Sequence, residues 1–221
     1  MIESRSFEII EQELALKGRE LKGLASDLEC PVKSRPVYKR VIHATADLDY
    51  ADDLVFSEDA LTRAYELLSA GCVIVTDTNM ALAGINKTEL EKLGVKAICY
   101  MADGEVMAEA KARGMTRAAV SMERAAGLDR PVIYAIGNAP TALIAIYEEY
   151  ERQRQSDAAP GPTHHPPGLI IGVPVGFVNV VAAKELIMES GLPCIVSRGR
   201  KGGSTVAAAI VNAMVYQLTR R

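Results

Sequence analysis

The sequence predicts a Rossmann-like α/β fold of three layers around a mainly parallel sheet of about five strands. Five short runs carry that expectation: CVIVTD (72–77), VKAICYM (95–101), PVIYAIGN (131–138), GLIIGVPV (168–175) and PCIVSRG (193–199). Each is rich in β-branched residues and continuously apolar, as strands covered on both faces are, rather than alternating. Helix-like stretches separate the runs, and strand alternating with helix argues a doubly wound sheet with right-handed crossovers.

In chain order, residues 34–50 read as a helix, with Ser34 as cap candidate, Pro36 in the first turn, and Val37, Val41 and Leu48 at helical spacing. FSEDALTRAYELLSAG (56–71) reads as a second helix, with Ser57 as cap, acidic residues in its first turn and Gly71 as stop. NKTELEKLG and GEVMAEAKARG follow the same pattern. APTALIAIYEEYERQRQ follows the third run, FVNVVAAKELIMESG the fourth, and STVAAAIVNAMVYQLTRR the fifth. The segment 156–168, SDAAPGPTHHPPG, reads as an exposed connection, and its His164 and His165 as solvated loop residues with no carboxylate or Cys partner nearby.

Length and composition set bounds on this. The 221 residues, 49% hydrophobic, suffice for a single domain spanning 1–221. A net charge of −3, 5% aromatics and no Trp argue against nucleic acid as a partner. Cys30, Cys72, Cys99 and Cys194 show no CxxC spacing and read as buried reduced thiols. The charged N-terminus has no signal-peptide pattern, and no apolar run reaches the roughly 18–20 residues of a membrane span. A soluble, cytoplasmic protein without membrane contact is expected.

Two features point to chemistry. The first is RVIHATAD (40–47). On a helix, Arg40 and Asp47 would flank His43 on one face, at i−3 and i+4. A carboxylate one turn away can orient an imidazole, and a nearby cation favours its neutral form. Histidine titrates near neutral pH and can both give and take a proton. On spacing alone an ordinary surface pair explains the motif better.

The second is the set of turns after the strands, where ligands bind in open parallel sheets. SRGRKGGST is the most pointed: Arg198, Arg200 and Lys201 precede Gly202, Gly203 and Ser204, then an Ala-rich helix. Cations, backbone N–H groups, a hydroxyl and a helix N-terminus together suit an anion. The order is not that of a Walker A loop, and no GxGxxG fingerprint is present. Arg117 and Lys184 could join the same rim, which suggests a ligand with several negative groups on a broad face.

With these pieces in view the chain resembles the precorrin-8X methylmutase family over nearly its whole length. The resemblance rests on SFEII (6–10), RVIHATAD, VTDTNMALAGI (75–85), IGNAPTAL (136–143), GVPVGFV (172–178) and GRKGGSTVAAAIVNA (199–213). It implies a Rossmann-like homodimer without a cofactor that shifts a methyl group from C11 to C12 of a corrin ring. His43 would be the catalytic proton donor and acceptor. Ser6, Arg40, Thr78, Arg117, Lys201, Gly202, Gly203 and Ser204 would bind a tetrapyrrole carrying many carboxylates. No metal ligands are implied. Met80, Ala81, Leu82, Val175 and Phe177 are candidates for an apolar floor under the ring, or for ordinary core. Ala182 and Ala183 stand where the family commonly has Glu-Ser before the lysine, and the 156–168 segment is longer than the family pattern suggests. Two other readings compete: a corrinoid carrier without catalysis, and an unrelated α/β phosphate- or nucleotide-binding enzyme using the SRGRKGGST turn.

Overall fold

A computed structural model describes residues 2–155 and 166–220. Six strands form one sheet: β1 (Leu54–Phe56), β2 (Val73–Thr76), β3 (Lys96–Ile98), β4 (Val132–Ile136), β5 (Leu169–Gly172) and β6 (Cys194–Ser197). Their order is β1-β6-β5-β4-β2-β3, parallel throughout except that β1 runs antiparallel to β6. The five runs named from the sequence are β2 to β6. The sixth strand, β1, was not anticipated. It has three residues next to Asp52 and Asp53, too few for its pattern to differ from a loop, and its place comes from pairing with β6.

Successive residues of the inner strands enter opposite cores, which is why the runs are largely apolar rather than alternating. Ile74, Ile133, Leu169, Ile171 and Ile195 face one core, whereas Val73, Val75, Val132, Tyr134, Ile170 and Val196 face the other. Each buried Val or Ile contributes roughly 1.5–3 kcal/mol of transfer free energy, so both faces must be covered. The first core is covered by α1 (Ile2–Leu16), α2 (Ser34–Thr45), α4 (Ala60–Ser69) and α11 (Ser204–Thr219). The second is covered by α8 (Arg117–Ala126), α9 (Pro140–Gln155) and α10 (Val180–Glu189). Short helices α3 (Tyr50–Asp53), α5 (Asn79–Gly84) and α6 (Lys87–Glu91), with α7 (Gly104–Arg113), complete the chain order. No helix among the described residues is long and apolar enough to cross a membrane.

α11 is the central helix of the first layer. Its small residues let neighbours approach: a Cβ added to Gly84 at the end of α5 would lie 2.8 Å from the Ala208 Cβ. Of the expected 156–168 connection only 166–168 is described; His164 and His165 lie outside the described residues.

Three helix boundaries differ from expectation. α2 stops at Thr45, because Ala46 takes a left-handed conformation with φ 54°. Thr45 Oγ1 receives the Asp47 N–H at 3.3 Å and donates to the Val41 carbonyl, turning the chain away from the helix. Asp47 therefore does not share the helical face of His43. At the other end Ser34 is helical rather than the cap: its N–H and hydroxyl both donate to the Asp27 carboxylate, at 2.8 and 2.5 Å. Ser57 does not cap α4 either. Asp59 occupies the cap position, and Ser57 Oγ accepts the Cys194 N–H at 2.9 Å, tying the start of α4 to β6.

Candidate active site

The chain reverses direction across the sheet between β2 and β4, whose carboxyl ends flank the crevice where such folds hold nucleotides. Here Asp77 fills it. Its carboxylate, 1% exposed, accepts the N–H groups of Gly137, Asn138 and Ala139 at 2.7–2.8 Å. Burial pushes its pKa up, against the pull of those donors. An acid occupies the place a phosphate would take, which speaks against the nucleotide reading. A Cβ on Gly137 would lie 2.6 Å from Ser204 Cα, so the start of α11 seals the crevice from above.

The candidate rim lies beside the crevice, around the N-terminus of α11. Thr78 caps α5, accepting the Ala81 N–H at 3.0 Å, and its hydroxyl pairs with Ser204 Oγ at 2.8 Å. The Gly203 N–H donates to the Val173 carbonyl at 2.8 Å, and Gly176 N–H to the Arg200 carbonyl at 3.2 Å, joining the GVPVGFV loop to the GRKGGST turn. Gly202 sits at φ +158°, where any Cβ would fall 2.1 Å from the Val173 carbonyl oxygen. Thr78, Gly202, Gly203 and Ser204 thus come together, as the sequence suggested.

His43 lies in the last turn of α2 with its ring exposed, edge-on to the Phe7 ring at 5.9 Å between centroids. It is shared by two grooves. One, of about 320 Å³, is also lined by Arg40, Met80, Gly84, Thr205 and Asn212, so it runs from the imidazole to the first turn of α11. The other, of about 220 Å³, lies between α1 and α2 and includes Ser6, Ile9 and Leu48. Arg40 holds its place by pairing with Glu3 and stacking over Tyr216 at 4.6 Å.

Several candidate residues stand apart from His43 or are already paired. Asp47 does not reach His43; with Asp49 it pairs with Lys201, at 2.8 and 2.6 Å. Those carboxylates hold the Lys201 pKa above the usual lysine range, so this cation is shared rather than free. Lys184 is no rim cation. It is buried beneath the turn, and burial lowers its pKa to about 8. Arg117 opens α8 in the opposite layer, donates to the Met101 carbonyl at 3.2 Å and lines neither groove with His43. Of the floor candidates, Ala81 is core and Leu82 is half-buried, whereas Met80, Val175 and Phe177 are exposed. Among the described residues no group of three His, Cys, Asp or Glu side chains converges as a metal site.

A family model described as precorrin-8X methylmutase matches residues 1–217. The chain belongs to the precorrin-8X methylmutase family. As a member it is a methylmutase, an isomerase of cobalamin biosynthesis. A cobalt-precorrin-8 methylmutase of Salmonella typhimurium is 40% identical over 98% of this chain and 94% of its own length. A precorrin-8X methylmutase of Pseudomonas aeruginosa is 36% identical over 89% of this chain and 88% of its own. The crystal structure of the precorrin-8X methylmutase from Thermus thermophilus superposes with a TM-score of 0.80 at 34% identity, covering 98% of this chain and 97% of that one.

Two buried charged residues beside the candidate site, Asp77 and Lys184, were not placed by sequence reasoning where the structure has them. For Asp77 a signal exists: an acid directly after the buried strand VIVT, opposite a Gly-Asn turn, needs backbone donors once buried. For Lys184, a lysine among Val, Ala, Leu and Ile in VVAAKELI signals a helix face turned inward.

Proposed function

We propose that this methylmutase moves the methyl group on C11 of precorrin-8X, or of cobalt-precorrin-8, to C12, giving hydrogenobyrinate or cobyrinate. The observation that carries this reading is the position of His43. An exposed imidazole stands where two grooves meet, one running along α11 as far as Thr205, next to the Ser204 hydroxyl that pairs with Thr78. A flat, apolar, many-carboxylate macrocycle matches such a surface: apolar side chains such as Met80 face the ring, and Arg40, Lys201 and the start of α11 face carboxylates.

The reaction balances without a second reactant. The C11–CH3 bond breaks as the C12–CH3 bond forms in a 1,5-sigmatropic shift, and the double bonds of the ring rearrange with it. His43 supplies a proton to the conjugated system and takes one back, so no net proton is consumed. The protein holds the ring in the reactive tautomer, and any cobalt belongs to the substrate.

The same reading takes the enzyme as a cytoplasmic homodimer without a cofactor. Ile2, Ile9 and Leu16 form an exposed apolar stripe at seven-residue spacing on α1, a surface a second copy would cover. Incubating the protein with precorrin-8X tests the reaction. The expected result is a changed visible spectrum and a product whose methyl group NMR locates on C12. Pigment bound and recovered intact would instead favour a carrier.

A further inference from the structure

Lys184 lies on α10 with its side chain 1% exposed, among the largest fully enclosed side chains of the protein. A buried ammonium is costly unless each N–H finds an acceptor. This one has three: Ser197 Oγ at 3.2 Å, the Gly199 carbonyl at 2.9 Å and the Lys201 carbonyl at 2.7 Å. All three belong to the end of β6 and the turn after it. Ser197 Oγ in turn donates to the Lys201 carbonyl at 2.8 Å. The set is complete only for the protonated amine, since a neutral one has two N–H groups for three acceptors.

The consequence is geometric. In a trans peptide the C=O and the following N–H lie on opposite edges of one plane. With the Gly199 and Lys201 carbonyls drawn in to the ammonium, the N–H groups of Arg200 and Gly202 point out of the turn. Among the described residues neither N–H has a protein acceptor. Gly202 meets this arrangement at φ +158°, where a side chain would strike the Val173 carbonyl.

We infer that Lys184 is a positioning residue: from beneath the turn it draws the Gly199 and Lys201 carbonyls inward and so aims the Arg200 and Gly202 N–H groups at a substrate carboxylate. This rests on the corrinoid reading above. Lys184 itself never touches substrate.

Amide hydrogen exchange of the wild-type protein, read by NMR at Arg200 and Gly202 with and without precorrin-8X, tests it. Both amides should exchange freely in the free protein and at least about tenfold more slowly with pigment bound. Amides already protected without ligand, or unaffected by a ligand that protects the His43 grooves, overturn the inference alone. Pigment that leaves every amide and its own spectrum unchanged overturns the corrinoid reading, and this inference with it. Kinetics give a second readout. Lys184→Met should raise KM about tenfold or more and Ser197→Ala by less, with kcat within about threefold of wild type. An unchanged KM, or a loss confined to kcat, contradicts the assignment. If Lys184→Met does not fold, Ser197→Ala and the wild-type exchange decide it.

Discussion

At the scale of single residues, the candidate site holds two groups with opposite surroundings. His43 is exposed and free to meet a ligand. Asp77 is enclosed and fully used, with three backbone donors on its two oxygens. Asp77→Asn keeps the shape but turns an NH2 group toward donors, leaving at least one buried N–H unpaired. It should cost roughly 2–3 kcal/mol in urea unfolding, and a loss below about 0.5 kcal/mol would mean that the carboxylate does not pin the turn. His43 was legible as a candidate because histidine, arginine and aspartate stood in one short motif. The role given to Asp47 was wrong for a local reason: Ala46 reverses the backbone, and nothing in HATAD announces an alanine with positive φ.

At the scale of elements, the rim is built by close approach between β4, α11 and the turn after β6. Gly137→Ala would push a methyl group into the backbone of Ser204. That should displace the first turn of α11, destabilise the protein by roughly 1–3 kcal/mol, and weaken substrate binding in the same variant. Normal stability would show that α11 can yield. The loop after α2 is tied to the rim by charge. Lys201 and Arg19 hold the Asp49 pKa down to about 2, from an ordinary value of 3.8. Its folded value is below its unfolded one, so the contribution to stability is present above pH 4 and fades as pH falls toward 2. Lys201→Met should flatten that part of the pH–stability curve, by a small amount for so exposed a group and less at high salt. Curves that stay parallel from pH 4 to 2 would contradict the pairing. The five parallel strands and most helices were legible because apolar runs and helical spacing are local signals. β1 was not, since three residues on a sheet edge take their conformation from the partner strand.

At the scale of the whole molecule, the α/β architecture with a mainly parallel sheet was legible, and the arrangement around the candidate site only partly so. Gly-rich turns after the strands pointed to the carboxyl end of the sheet, where the candidate rim is built. They did not show that Asp77 closes the usual crevice, nor that Lys184 turns inward while Arg117 stands in the other layer, because these depend on which layer covers each face. The closed crevice makes a prediction for the molecule as a ligand-binding body. Precorrin-8X at a hundredfold excess over its Kd should stabilise the fold by about 2.7 kcal/mol, a rise in Tm of several degrees, while ATP should give none. A comparable shift with ATP would reopen the nucleotide reading.

In the proposed reaction His43 performs the proton transfer rather than merely lining the grooves. Comparing kcat and Kd for precorrin-8X in wild type and His43→Ala tests it most directly. Turnover should fall by about 10²–10⁴-fold, the usual contribution of a positioned acid–base group, with Kd changed no more than a few-fold. Turnover within tenfold of wild type, or an equal loss in binding, would contradict it.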